Sequence, residues 1–132
     1  MISLGAATDN LDTAWWVITS NATDGQWPKG SVGADGAIYP SMHHLDLSLP
    51  LSIMVDQTGR RFCDEAGSYM EIGERMYQRH IESGKGIPAW VIFDAKHRQR
   101  YLWGPMQPGV TPPEWIDSGY MKKADTLAGL AR

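Results

Sequence analysis

The stretch Leu51–Tyr77, LSIMVDQTGRRFCDEAGSYMEIGERMY, constrains the fold more than any other part of the chain. Ile53 and Val55 alternate with Ser52 and Met54, which predicts a strand over Leu51–Asp56. Asp56-Gln57-Thr58-Gly59 ends that strand, because Gly59 supplies the positive backbone angle that a hairpin turn needs. A short return strand over Arg60–Cys63 is expected after the turn. Ser68 stands where it caps a helix, and Glu65 and Glu71 fall at the positive end of that helix's dipole. Tyr69, Ile72, Met76 and Tyr77 recur at helical spacing, with Arg75 and Arg79 among the polar positions, and Gly84 closes the run as a left-handed cap does. The spacing predicts a helix over Tyr69–Ser83, so the whole stretch is a hairpin aimed at a helix start.

Composition narrows what such a chain does. With 132 residues, 42% of them hydrophobic, and no apolar run of about 18 residues, it is read as one soluble globular unit that buries roughly two thirds of its unfolded surface. A net charge of -3, with Lys and Arg scattered among the acids, leaves no electrostatic footprint for nucleic acid or for an anionic membrane. Cys63 is the single cysteine and forms no internal disulfide; with no basic, apolar leader before Gly5, a reducing cytoplasm is the expected setting. Asn21-Ala22-Thr23 fits a glycosylation sequon, which that compartment leaves unused. His43 and His44 are adjacent on an extended segment and therefore point to opposite faces, and no Cys or His follows at ligand spacing, so no metal site is expected. They are read as solvated or satisfied loop residues, and His80 and His97 as surface residues.

In chain order, residues 1–13 suit a linker or helix end, and 14–132 a folded domain. Ala14–Thr19 is aromatic and β-branched, hence strand-like, and a long glycine-rich loop spans Asn21–Gly36. Pro88–Asp94 is a nearly continuous apolar run, which predicts a strand buried on both faces in a sheet interior. Asp94 caps a helix over Ala95–Tyr101 in which Lys96, Arg98 and Arg100 form a solvated basic face. Trp103–Pro113 is broken by prolines. Trp115-Ile116 and Ser118-Gly119-Tyr120 suggest a short strand, and Asp125 or Thr126 caps a last helix that stops soon after it starts. Short strands alternate irregularly with helices, so the expected class is α+β: a small mixed sheet of about four strands with helices packed mainly on one face.

The arrangement Gly59-Arg60-Arg61-Phe62-Cys63-Asp64-Glu65, coming after an apolar strand, resembles the Gly-x-Arg-Phe-x-Asn-Glu signature in the cap (substrate) domain of the FAD-dependent fumarate reductase, succinate dehydrogenase and 3-ketosteroid dehydrogenase superfamily, with Asp64 where Asn is usual. Gly5–Trp16, Pro88–Tyr101 and Ser118–Ala131 are similar to the segment leading into that domain, its next strand and helix, and its exit; Asn21–Leu49 is not covered. The resemblance implies an excised cap domain whose FAD sits in a dinucleotide-binding domain of the same parent chain. It also implies a small-molecule substrate bound near Ser68, Tyr69 and Met70. In the fumarate reductases the position four after the motif glutamate carries a proton-delivering arginine, whereas here it is Tyr69, as in the 3-ketosteroid 1-dehydrogenases, where that tyrosine takes a proton from a ring carbon. Tyr69 is thus read as the catalytic residue, against the alternative of a packed aromatic. Gly59, Arg61, Phe62 and Glu65 are read as the structural motif, with Arg60, Arg61 and Glu65 in ion pairs that fix the hairpin to the helix. A buried dicarboxylate needs fixed cations, so tyrosine at this position suits a neutral enone such as a 3-ketosteroid.

Two other readings stay open: a fumarate reductase-like domain for a small dicarboxylate, and a binding module without redox chemistry. The sequence has no GxGxxG after a strand and no other phosphate cradle, so the implied FAD is not held by this chain alone. The purified chain is expected to be colourless and to bind FAD no better than an unrelated protein; stoichiometric quenching of flavin fluorescence at micromolar FAD would overturn this.

Overall fold

The computed structural model describes residues 5, 7–9, 14–20, 36 and 41–131. The expected linker over 1–13 lies largely outside the described residues, as do the sequon and, apart from Gly36, the long loop. In chain order the elements are β1 (Ile18–Ser20), β2 (Ser41–His43), a 3-10 turn (Asp46–Ser48), β3 (Ser52–Val55), α1 (Tyr69–Ser83), β4 (Trp90–Phe93), α2 (Ala95–Arg100), α3 (Pro113–Asp117) and α4 (Leu127–Leu130). β1 pairs antiparallel with β2, Ile18 opposite His43; β3 pairs antiparallel with β4, Met54 opposite Val91. Ile18, Leu47, Met54, Ile72, Trp103 and Trp115 form the core, where both pairs meet α1 and α3.

The α+β class holds, but the expected mixed sheet is corrected to two separate antiparallel pairs among the described residues. The reason lies at the outer edge of β3. The Met54 N–H donates to Glu65 Oε1 at 2.7 Å, so a buried side chain takes the place a further strand would fill. The same bond explains why Arg60–Cys63 is no strand: only a single bridge, Val55 to Arg61, survives of the return pairing. β4 is accordingly not interior to a sheet. Val91 and Phe93 pack on the core while Trp90 is 47% exposed.

α1 has the bounds its spacing predicts. Ser68 Oγ accepts from the Glu71 N–H at 3.1 Å, and Gly84, at φ 66°, donates its N–H to the His80 carbonyl. α3 replaces the expected strand over Trp115–Tyr120. Pro113 occupies the first helical turn with Glu114 beside it, and Gly119, at φ 75°, ends the turn by donating to the Ile116 carbonyl. These start and stop signals prevail over a short apolar run, and Trp115 is buried as a result. Thr126 caps α4 through the Gly129 N–H.

α2 begins at its expected cap, the Asp94 carboxylate accepting from the His97 N–H at 2.8 Å. Its basic face is another correction, because Arg98 is buried. The guanidinium donates to the carbonyls of Tyr101, at 2.7 Å, Gln107 and Val110, and the Gly109 N–H returns to the Arg98 carbonyl. The two terminal nitrogens of the guanidinium thus tie the proline-broken loop to α2 through three of its carbonyls. His97 is likewise not a surface residue. It is fully buried, stacked on Phe93 at 5.0 Å, and its ring nitrogens have no hydrogen-bond partner among the described residues. Burial, then the Arg98 charge, pushes its pKa below the usual histidine range.

Buried carboxylates tie the elements together. Asp56 is fully buried: Oδ1 accepts from the Thr58 hydroxyl, the Thr58 N–H and the Arg60 N–H, and Oδ2 from Arg79 Nε on α1 at 2.8 Å. The Thr58 hydroxyl leads these bonds in holding the acid well below the ordinary carboxylate range, against the opposing effect of burial. For Asp46, burial raises the pKa, but His43 and the Gly104 N–H outweigh it and the net shift is downward. His43 spans Asp46 Oδ2 and Ser20 Oγ, each at 2.6 Å, which locks β2 to β1. No helix among the described residues is long and apolar enough to cross a membrane.

Arg98→Ala removes the guanidinium bonds to three loop carbonyls and should destabilise the fold by about 2–4 kcal/mol, read as a lower urea midpoint. Acid should act in two stages. His97, Asp46 and Asp56 all have folded pKa values below their unfolded ones, so each contributes stability that is full above the unfolded value and is lost as pH falls. Stability should decline first from about pH 6.5, through His97, and again below about pH 4, through the carboxylates. In denaturation at stepped pH, His97→Phe should flatten the upper decline and Asp56→Asn part of the lower.

Candidate functional site

The site is built around the first turn of α1. Helical spacing puts Tyr69, Gly73 and Tyr77 on one face, and the Trp15–Trp16 segment lies along it. Trp16 stacks on Tyr77 with ring centroids 4.9 Å apart. A Cβ at Gly73 would stand 2.5 Å from the Trp16 Cβ, so only glycine permits this approach. Glycine inside a helix costs about 1 kcal/mol relative to alanine, and the aromatic packing offsets that cost. One step back along the chain, Trp15 donates its indole N–H to the Tyr69 phenol oxygen at 2.9 Å. From the other side His44 packs on the Tyr69 ring, 5.1 Å away and inclined by 33°.

Of the residues that the sequence points to, Tyr69 is half-buried; Ser68 is exposed, with its hydroxyl committed to the helix cap, and Met70 is 38% exposed. Gly59 sits at φ 77° in the hairpin turn. Arg61 makes a two-point contact with Glu65, its Nε 3.2 Å from Oε1 and its Nη2 on Oε2, and Phe62 packs against the core. Burial raises the Glu65 pKa, but the Arg61 guanidinium and the Met54 N–H bring it below the usual range. Arg60 contributes its backbone N–H to Asp56, and the pairing to α1 is made by Asp56 with Arg79. Cys63 stays a thiol: burial, then the Glu65 charge, pushes its pKa up to about 11.

Trp15 and His44 are the residues that sequence reasoning missed as neighbours of Tyr69. Trp15 was hidden inside an apparent strand, and only alternation along an extended segment signalled that His44 faces away from the buried His43. Trp15 and His44, which meet Tyr69, are both aromatic, and exposed Trp15, Met42 and Leu45 lie on the same flanking segments. The arginines gather elsewhere: Arg60, Arg61, Arg75 and Arg79 line an open depression with Phe62, Gln78 and Glu82 that does not include Tyr69. Glu65, Glu71 and Asp56 pair three of them. Among the described residues no cluster of three or more His, Cys, Asp or Glu is placed to hold a metal.

A phenol at a helix start, with a donor on its oxygen, is equipped to accept or return a proton. The start of α1 does not fit a flavin pyrophosphate. Its Glu71 N–H is taken by Ser68, and the carboxylates of Asp64 and Glu71 flank the turn.

The family described as FAD binding domain matches residues 2–127. The chain is 38% identical to the 3-oxosteroid 1-dehydrogenase of Mycobacterium tuberculosis strain H37Rv, over 97% of this chain and 21% of that protein. It is 33% identical to the 4-oxocyclohex-2-ene-1-carboxylate 5-dehydrogenase of Sinomonas cyclohexanicum, over 96% of this chain and 22% of that one. Among solved structures it resembles the 3-ketosteroid delta1-dehydrogenase of Sterolibacterium denitrificans, crystallised with 1,4-androstadiene-3,17-dione. That match has a TM-score of 0.67 and 33% identity, over 86% of this chain and 19% of that one. The chain thus spans about a fifth of the length of the relatives it matches. With nearly all of its length matched, the chain belongs to the FAD binding domain family of flavoproteins.

Proposed function

We propose that this chain is the substrate-side, or cap, portion of an FAD-dependent dehydrogenase that introduces a double bond beside a ring ketone, with residues 14–132 as the cap and Tyr69 as the proton acceptor. The observation that carries the reading is the Tyr69 phenol, which has an N–H donor on its oxygen and an aromatic ring against its face. The named relatives support the reaction class, since the 3-oxosteroid and the 4-oxocyclohex-2-ene-1-carboxylate dehydrogenases are both named for substrates bearing an oxo group on a ring, the second with a carboxylate as well. FAD, held in the part of the protein outside this chain, supplies the hydride acceptor. This chain's own task is to shape the pocket wall and to take the proton from the carbon next to the carbonyl.

A 3-ketosteroid is the favoured substrate class. The Tyr69 neighbourhood is aromatic and flanked by exposed apolar side chains, whereas a dicarboxylate needs paired cations, and three of the four arginines at the depression are engaged by Glu65, Asp56 and Glu71. Ser68 and Met70, the neighbours of Tyr69 in sequence, are assigned to the substrate contact on this reading. The partner is the flavin-binding domain of the same polypeptide, and the setting is the cytoplasm.

In the full-length flavoenzyme, Tyr69→Phe keeps the ring and removes only the hydroxyl. Turnover should fall by roughly two to four orders of magnitude while the melting temperature and steroid affinity change little. Turnover within a few-fold of the parent, with weakened steroid binding, would make Tyr69 a wall residue.

A further inference from the structure

We infer that Trp15 is a positioning residue for the Tyr69 chemistry, its indole N–H holding the phenol oxygen in the orientation that proton abstraction requires. This rests on the reading of Tyr69 as the proton acceptor.

The direction of the bond is unambiguous. Indole nitrogen donates and has no lone pair to accept with, so in the 2.9 Å contact Tyr69 is the acceptor. The phenol's own hydrogen is therefore turned away from Trp15. A hydrogen bond to an oxygen carrying negative charge is roughly twice as strong as one to a neutral oxygen, so this bond strengthens as charge develops on the phenol oxygen during proton transfer. Being no base itself, Trp15 does not compete for that proton.

The surroundings explain why Trp15 is aimed there. Its side chain is 78% exposed, so its own burial does not hold it in place. The aim is set by the residues on its C-terminal side. Trp16 is locked over Gly73 and stacked on Tyr77, and Ser20, at the end of β1, is bonded to the buried His43. His44, next to His43, presses on the Tyr69 ring and sets its plane. Both neighbours of the phenol thus come from segments anchored independently of it.

The test uses the full-length flavoenzyme with a 3-ketosteroid. Replacing Trp15 by 3-benzothienylalanine puts sulfur where the N–H was and keeps the ring; kcat should fall about tenfold, the scale of one charge-assisted hydrogen bond, with KM within twofold. Incorporating 5-fluorotryptophan at position 15, which keeps the donor, should leave kcat within twofold. Independently of turnover, the Trp15 indole N–H resonance should shift in Tyr69→Phe while the other indole signals stay in place. An unchanged kcat in the sulfur variant, or a loss carried by KM, would overturn the inference and leave Trp15 as pocket wall. If Tyr69→Phe itself retained turnover while the Trp15 resonance still moved, the hydrogen bond would be real but structural, and the proton-acceptor reading would have failed with the inference.

Discussion

Asp56 sits at the end of β3 with no exposure to solvent, and its carboxylate is surrounded by donors from two directions: the turn immediately after it and Arg79, nearly three turns along α1. A buried charge persists only when it is paired and fully hydrogen-bonded, so the turn and the helix cannot move apart without exposing an unpaired ion to the interior. Glu65 repeats the arrangement a few residues later, joining the Met54 backbone to Arg61 just before the helix begins. These two acids determine where α1 starts relative to the hairpin, and hence where Tyr69 stands.

A second set of bonds performs the same service for the other strand pair. Ser20, His43 and Asp46 are linked in the order known from hydrolytic triads, but the constellation is built as a latch. His43 is buried, Ser20 Oγ is also bonded to the Tyr120 hydroxyl, and Tyr120 in turn accepts from the Trp103 indole. Asp46 closes the network by accepting the Gly104 N–H. Every group is engaged in holding β1, β2 and the 103–120 region together. The consequence for the site is indirect: with β1 and β2 locked, Trp15 and His44 approach Tyr69 from fixed directions.

Much of the site was legible from local signals. The Ser68 cap, the 3.6-residue period and Gly84 define α1 to the residue, and Gly59 defines the turn, because caps and turns depend on backbone groups a few positions apart. The signature around Arg61, Phe62 and Glu65 likewise led to Tyr69. What stayed hidden were contacts between distant segments. Trp15 and Tyr69 are 54 residues apart, and nothing in either local sequence encodes their hydrogen bond.

The misreadings have a common cause. Lys96, Arg98 and Arg100 look alike as a charged helix face, yet Arg98 is drawn inside because the loop at 101–110 turns three carbonyls toward its guanidinium. Arg60–Cys63 has the composition of a return strand, yet the Glu65 side chain takes the Met54 N–H that strand would extend from. By itself the sequence determined the α+β class, the long helix and its caps, the hairpin turn and the place of the Tyr69 phenol at the helix start, all of which depend on neighbours within a few residues. Only the tertiary structure decided how the strands pair, which charges are buried and which groups meet the phenol, because a buried polar group takes whichever partner the packed chain brings within reach.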